Sequence, residues 1–194
     1  MKIPESIKPF VNEFSKLPGI GPRQAIRLAF YLADHKKEAK DIETAVSIIQ
    51  KLKTCPKCFS IHDNDGELCK ICGDSSRNKS QVAIVEKETD LISIEATQKY
   101  NGLYLCLGDI KKTGKLNESQ KIRLDSLKSK PEKIREVIIA FSPTTAGDIS
   151  AEIIAEYIRG VVEKITRLGR GIPIGGEVEF ADADTLSEAL EGRK

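Results

Sequence analysis

Four cysteines spaced as two Cys-x-x-Cys pairs are the residues of this sequence best suited to metal chemistry. The stretch C-P-K-C-F-S-I-H-D-N-D-G-E-L-C-K-I-C contains Cys55, Cys58, Cys69 and Cys72, with ten residues between the pairs. Two pairs at this separation can complete a tetrahedral zinc site that leaves no position open for catalysis. The rival interpretations are a redox dithiol, which needs only one pair, and two disulfides, which suit secreted chains. The spacing therefore favours one structural Zn²⁺ per chain.

The segment 55–72, called the cysteine knuckle below, is too short to fold without help. Its 18 residues cannot bury a core, so bound metal would supply the folding free energy. His62 lies between the two pairs and is predicted to be a solvated loop residue, because four thiolates are available. The fifth cysteine, Cys106, falls in an apolar strand pattern and is predicted to be a buried thiol.

Composition places the chain among soluble globular proteins. Of its 194 residues, 40% are hydrophobic and 31% are charged, which is ordinary for that class. The N-terminus M-K-I-P-E-S-I-K-P-F lacks the apolar region of a signal peptide, and no run approaches membrane-spanning length. Four cysteines committed to metal are typical of a reducing compartment, so we expect a cytoplasmic protein without membrane contact.

Positive charge is concentrated at the N-terminal end. Residues 1–53 carry ten Lys and Arg against six Asp and Glu, whereas residues 166–194 carry four against six. A charge run is usually only a solvated face, but this asymmetry indicates where a phosphate-binding surface would lie.

A glycine-containing turn joins two helical patterns in the basic segment. Residues 5–16 have helical spacing, and L-P-G-I-G-P-R then leads into a helix with an apolar stripe of Ala25, Leu28, Ala29 and Leu32. Gly19 and Gly21 flank one apolar residue, which predicts a tight turn with exposed backbone amides. Residues 41–53 predict a further helix leading into the cysteine knuckle.

Two arginines project beside this turn. Arg23 and Arg27 are four residues apart, on the helix face opposite the apolar stripe. This is the pattern of a helix-hairpin-helix, in which the turn amides and the helix N-terminus hold one phosphate while the arginines reach its neighbours. Such a site reads the DNA backbone and not its bases. An ordinary αα-hairpin with two surface arginines is the alternative.

Apolar runs and helical patterns alternate after the knuckle. The runs are 82–86, 102–107 and 137–141, and the helical patterns are 89–98, 117–129 and 149–164. This alternation predicts a parallel sheet covered by helices. Ligands bind such sheets at the carboxyl ends of the strands, where Glu86 and Asp148 would lie.

One lysine-rich stretch resembles a phosphate-binding loop only superficially. Residues 108–116 read G-D-I-K-K-T-G-K-L, with five residues between the glycines where a P-loop has four. Leu116 stands where the metal-binding Ser or Thr would be required. We therefore predict a surface loop and no nucleotide cradle.

The order of these parts resembles the RecR family of bacterial recombination mediators over essentially the whole chain. The resemblance is carried by L-P-G-I-G-P-R-Q-A-I-R-L-A-F-Y-L (17–32), by the cysteine knuckle with its trailing Arg77, by I-V-E (84–86) and by the tail (166–193). It implies an α+β fold of four parts. These are a helix-hairpin-helix (1–53), a zinc finger (54–78), a Toprim domain (79–165) and a C-terminal segment (166–194) with a Walker B-like strand at Val178 to Asp182 and a short helix.

The resemblance also implies a function in recombinational DNA repair. Family members are non-enzymatic DNA clamps that assemble into rings, commonly homotetramers, and contact DNA without regard to sequence. They act with the proteins RecO and RecF to load recombinase onto gaps coated by single-strand-binding protein. Arg23 and Arg27 occupy the family's DNA-contacting positions on the hairpin and the following helix.

The Toprim motif departs from the family pattern. Where the family reads N-P-T-x-E-G-E, residues 142–148 read S-P-T-T-A-G-D, so Ala146 replaces one acid and Asp148 shortens another. Glu86 and Asp148 are too few carboxylates to fix a catalytic Mg²⁺, and we predict that they form an acidic docking surface for RecO. Two other functions stay open, a catalytic Toprim nuclease or primase and a zinc-stapled interaction scaffold without DNA contact.

Overall fold

The computed structural model describes residues 3–110, 114–129 and 133–193. It contains two compact units, Met1–Leu52 and Lys53–Lys194. The predicted α+β fold is confirmed, since the first unit is helical and the second contains a parallel sheet with helices. No helix in the described ranges is long and apolar enough to cross a membrane.

The N-terminal unit is built from helices around a short hairpin. Its elements are a 3₁₀ turn at Glu5–Ile7 and the helices α1 (Lys8–Phe14), α2 (Pro22–Asp34) and α3 (Lys36–Ile49). The predicted apolar stripe of α2 faces inward, with Ala25 and Ala29 buried and Leu28 and Leu32 half-buried. Helix α3 begins earlier than predicted, and none of its residues, all of which are described, is buried.

The second unit begins with the cysteine knuckle and continues into the sheet. Its elements are β1 (Lys53–Thr54), β2 (Ile61–His62), α4 (Lys70–Gly73), β3 (Asn78–Val85), α5 (Glu88–Ala96), β4 (Gly102–Cys106), α6 (Glu118–Asp125), β5 (Glu136–Ala140), α7 (Thr145–Tyr157), β6 (Lys164–Arg167), a 3₁₀ turn (Val178–Phe180) and α8 (Ala183–Glu191). Strands β1 and β2 pair antiparallel. The other four form a parallel sheet in the order β4-β3-β5-β6.

Both faces of the central strands are buried, as near-continuous apolar strands predict. Val82, Ile84 and Ile139 share one core with residues of α6 and α7. On the opposite face, Ala83 and Val85 pack with Leu91 of α5. Because β3 and β5 pair in parallel, their carboxyl ends lie at the same edge of the sheet.

The last strand of the sheet was not predicted. The helical pattern assigned to residues 149–164 is in fact α7, which begins at Thr145 and ends at Tyr157, followed by β6. The Thr144 side chain caps α7 by accepting a hydrogen bond from the Gly147 N–H at 3.1 Å. Strand β6 crosses the predicted domain boundary at 165–166, so the sheet continues into the proposed C-terminal segment.

The prediction of a Walker B-like strand at Val178 to Asp182 is wrong. Residues Val178–Phe180 form a 3₁₀ turn and pair with no strand among the described residues. Val178 is 64% exposed and Phe180 is 79% exposed, so this apolar run lacks the neighbouring strand and the buried face that a strand requires. Asp182 instead caps α8, accepting a hydrogen bond from the Thr185 N–H at 2.8 Å.

Candidate nucleic-acid interface and metal site

The hairpin between α1 and α2 presents backbone donors. Gly19 adopts φ +80°, a left-handed conformation that favours glycine, and the Ile20 N–H closes the turn on the Leu17 carbonyl at 3.2 Å. Gly21 is the N-cap of α2, and Pro22 occupies the first turn. No side chain caps this helix, so its first-turn N–H groups are left to an external acceptor such as a phosphate oxygen.

Arg23 and Arg27 lie where the sequence predicted them, on the exposed face of α2. Both side chains line one surface cleft, which they share with Gln24, Leu28 and Tyr31. Neither arginine forms an ion pair with any described residue. Two uncompensated guanidinium groups beside exposed hairpin amides make an anion-binding surface suited to a chain of phosphates.

The four cysteines of the knuckle converge on one point. Their sulfur atoms all lie within 4.8 Å of one another, and the Cys58 and Cys69 sulfurs are 3.5 Å apart. A tetrahedral zinc site with bonds of about 2.3 Å separates its sulfurs by about 3.8 Å. Cys55, Cys58 and Cys69 are buried and Cys72 is half-buried. This donor set could hold a metal ion, and it is the only such cluster among the described residues.

The protonation of these thiols also fits a cation site. The pKa of Cys58 is lowered to about 5, chiefly by a hydrogen bond with the Cys72 thiol, while Ser60 adds to the effect and burial opposes it. The same hydrogen bond, with burial, raises the pKa of Cys72. Sulfurs packed this closely cannot all ionise unless a cation lies between them.

His62 differs from the prediction of a solvated loop residue. Its ring is half-buried, and both ring nitrogens have hydrogen-bond partners within the loop. Nδ1 accepts from the Asn64 N–H at 3.2 Å, so Nε2 carries the proton that is donated to the Glu67 carbonyl at 3.1 Å. His62 therefore braces the loop between the cysteine pairs.

The knuckle docks on the edge of the parallel sheet. The Cys106 N–H at the end of β4 donates to the Cys58 carbonyl at 2.8 Å, and Phe59 packs against the core under the sheet. Arg123 of α6 lies over the Phe59 ring at 5.2 Å and donates to the Cys106 carbonyl at 2.7 Å. Cys106 itself is the buried thiol that was predicted, and burial raises its pKa to about 12. The cysteine knuckle thus holds Phe59 against the main core.

Arg77, which trails the knuckle, ties it to the sheet from the other side. Its guanidinium donates to both oxygens of Glu95 on α5 and to the Gly102 carbonyl at 3.1 Å. Tyr104 donates to the same Glu95 carboxylate at 2.7 Å. The hydrogen bonds from Arg77 lower the pKa of Glu95, so the carboxylate stays ionised. Arg77 is therefore a structural anchor.

Glu86 follows β3 directly, at the carboxyl edge of the sheet. Burial raises the pKa of its carboxyl group, and the nearby Asp109 carboxylate adds to that effect. Among the described residues, neither Glu86 nor Asp148 belongs to a group of three potential metal ligands. Glu86 therefore lies at the sheet edge where the sequence placed it, with Asp109 as a nearby second carboxylate.

Asp148 lies in the first turn of α7, and its charge is compensated within the chain. Its Oδ1 contacts Arg167 Nη2 at 2.7 Å and also accepts from Arg170. Arg167, with Arg170 adding to the effect, lowers the pKa of Asp148. Arg170 in turn reaches Glu188 of α8 at 3.4 Å. Asp148 therefore connects the sheet to the C-terminal segment, a role that sequence reasoning missed.

Three protein-family models match separate segments of this chain. A helix-hairpin-helix model of RecR matches residues 7–47, a Toprim domain model matches residues 80–169, and a RecR C-terminal model matches residues 171–194. The recombination protein RecR of Thermus thermophilus is 38% identical over 199 residues, covering 100% of this chain and 99% of that protein.

This chain belongs to the RecR family of recombination proteins. RecR of Herpetosiphon aurantiacus is also 38% identical, over 98% of this chain and 95% of its own length. RecR of Chloroflexus aurantiacus is 38% identical over 95% and 91% respectively. The similarity to these RecR proteins therefore extends over the hairpin, the cysteine knuckle, the sheet and the C-terminal segment of this chain.

Proposed function

We propose that this protein is a non-enzymatic recombination mediator that binds DNA through its helix-hairpin-helix and acts with RecO and RecF to load recombinase on gapped DNA. The observation that carries the proposal is the cleft on α2, where Arg23 and Arg27 lie beside exposed hairpin amides without an ion-pair partner among the described residues. Full-length similarity to RecR proteins supports the same role. Binding through phosphates predicts affinity that ignores sequence and falls steeply with salt.

We also propose that the metal of the cysteine knuckle is Zn²⁺. Four thiolates at this spacing suit a tetrahedral ion with no redox role, and the closed donor set leaves no position for substrate. Bound zinc would order the turn that carries Phe59 and the Cys58 carbonyl, and so secure the edge strand β4. The proposed zinc ion would therefore contribute to the free energy of folding and not to catalysis.

Assembly into a ring, proposed as a homotetramer, is assigned to the C-terminal segment. Ile174 is fully exposed, and Val178 and Phe180 are largely exposed, so this run is available to a second copy. A chain ending at Gly171 is expected to lose the native oligomer, because it lacks this apolar run and α8. Light scattering of the truncated and complete chains tests this, and an unchanged mass would refute it.

A point variant tests the same segment without deleting it. Asp148→Asn removes the carboxylate shared by Arg167 and Arg170, so we expect a smaller or weaker assembly than that of the complete wild-type chain. The matched control is Glu152→Gln, one turn further along α7, since Glu152 is exposed and forms no ion pair with a described residue. Equal assembly of the two variants would mean that Asp148 does not support the tail.

The Toprim edge is proposed as a docking surface for RecO, with Glu86 and Asp148 as its acids. Arg167 and Arg170 already compensate the charge of Asp148, so Glu86 is the acid that is available to a basic partner. Because α7 has Ala146 where the family has an acid, we expect no nicking, ligation or primer synthesis with Mg²⁺ or Mn²⁺. Glu86→Ala with Asp148→Ala should weaken RecO binding in a pull-down or calorimetric titration while DNA binding is retained. The single variant Glu86→Ala tests RecO binding without disturbing the ion pairs of Asp148 with Arg167 and Arg170. Divalent-dependent cleavage that disappears in the double variant would restore the enzyme hypothesis.

A further inference from the structure

The arginine face of α2 continues into an exposed aromatic ring. Arg23, Arg27 and Tyr31 are spaced by four residues, so they form one stripe along the helix, with successive members about 6 Å apart along its axis. Tyr31 is 49% exposed and lines the same surface cleft as both arginines. The cleft therefore combines two cations with an aromatic surface, which phosphate binding alone does not require.

The Tyr31 ring is held in place rather than free. One of its faces stacks on the His35 ring, with centroids 4.0 Å apart and an interplanar angle of 14°. A His35 ring nitrogen lies 2.8 Å from the Tyr31 carbonyl oxygen, which fixes the stacking partner. The Tyr31 side chain also lines the cleft that contains Arg27. The Tyr31 hydroxyl has no hydrogen-bond partner among the described residues.

We propose that Tyr31 is a stacking platform for an unpaired base, and that this protein thereby prefers single-stranded DNA over duplex. The inference rests on the proposed function, since the arginines must first place the phosphate backbone along α2. Aromatic rings stack on any of the four bases, so the contact adds affinity without sequence preference. A base inside a duplex already stacks on both neighbours, and it would have to be unstacked before Tyr31 could reach it.

Phe30 provides a matched control on the same helix. It is 43% exposed, close to the value for Tyr31, but it does not line the cleft with the arginines. Adjacent residues of a helix point about 100° apart. A general effect of losing exposed aromatic surface would appear in both Phe30 and Tyr31 variants, whereas base stacking would appear only at Tyr31.

The experiment compares an oligothymidylate with an abasic oligonucleotide of the same length, each fluorescently labelled, in anisotropy titrations of the full chain. Tyr31→Leu should weaken binding of the oligothymidylate about tenfold and leave binding of the abasic strand and of duplex DNA unchanged. Tyr31→Phe keeps the ring and should bind like the wild type. Phe30→Leu should leave the ratio of the two affinities unchanged.

Three outcomes would overturn the proposal. Tyr31→Leu could leave the oligothymidylate affinity intact, it could weaken both strands equally, or Tyr31→Phe could be as defective as Tyr31→Leu. An equal loss for both strands with an altered mass in light scattering would make Tyr31 an assembly residue instead. The proposed function is judged separately by Arg23→Ala with Arg27→Ala, a variant that keeps Tyr31 and should lose binding to both strands.

Discussion

Arg23→Ala combined with Arg27→Ala is expected to abolish measurable DNA binding while the melting temperature stays nearly unchanged. The two guanidiniums are the cationic groups of the α2 cleft, and each is exposed without an ion-pair partner among the described residues. Removing them opens no cavity, and surface changes of this kind usually alter stability by less than about 0.5 kcal/mol. Anisotropy with labelled DNA and a thermal melt of each protein provide the two measurements.

The control for this variant removes the same charge from a different helix. Lys36 and Lys40 are exposed on α3 at the same four-residue spacing, so Lys36→Ala with Lys40→Ala lowers the net charge equally. This control should still bind DNA.

On duplex DNA the wild type and the lysine control should both lose about 0.9 log units of affinity per log unit of salt for each phosphate neutralised. Equal defects in both variants would indicate net charge rather than a site.

Cys58→Ser is expected to release the metal and to destabilise the sheet as well as the knuckle. The knuckle positions Phe59 against the main core and supplies the carbonyl that receives the Cys106 N–H. If the loop disorders, the half-buried Phe59 loses its contacts with the core, which costs about 2 kcal/mol. For a chain of this length that corresponds to a fall in melting temperature of roughly 4–8 °C. Metal analysis and calorimetry of the purified protein measure the two effects.

Cys106→Ser tests whether the metal is responsible for this loss. Cys106 is also a buried thiol, but it is outside the four-cysteine cluster. That variant should retain one metal ion per chain and lose only the stability due to local packing. A Cys58→Ser protein with normal metal content, or a metal-free wild type that melts at the same temperature as the metal-bound form, would refute the structural role.

Local patterns were sufficient to predict the parts of the fold that depend on short segments. The Cys-x-x-Cys spacing predicts the clustering of four sulfurs because each pair forms its own turn. The inward stripe of α2 follows from helical periodicity, which also puts Arg23 and Arg27 outside. The apolar runs at 82–86 and 137–141 predict buried parallel strands, and β3 and β5 are those strands.

Features that depend on distant partners could not be predicted in this way. Strand β6 reads K-I-T-R, a polar edge strand that pairs only with β5 in the described chain, so its sequence lacks the apolar signal of the central strands. The run at Val178–Phe180 has the apolar signal but no neighbouring strand among the described residues. The pairing of Asp148 with Arg167 and Arg170 requires β6 to be placed first, so no local pattern indicates it.

Hydrogen–deuterium exchange of the complete chain with and without DNA tests the central claim most directly. The claim is that DNA lies on the hairpin and on α2. DNA should therefore slow exchange in the peptides that cover residues 17–31, and it should leave the strand ends near Glu86 and Asp148 unchanged. Protection confined to the Toprim edge, with none in residues 17–31, would contradict the account and move the nucleic-acid site to the sheet.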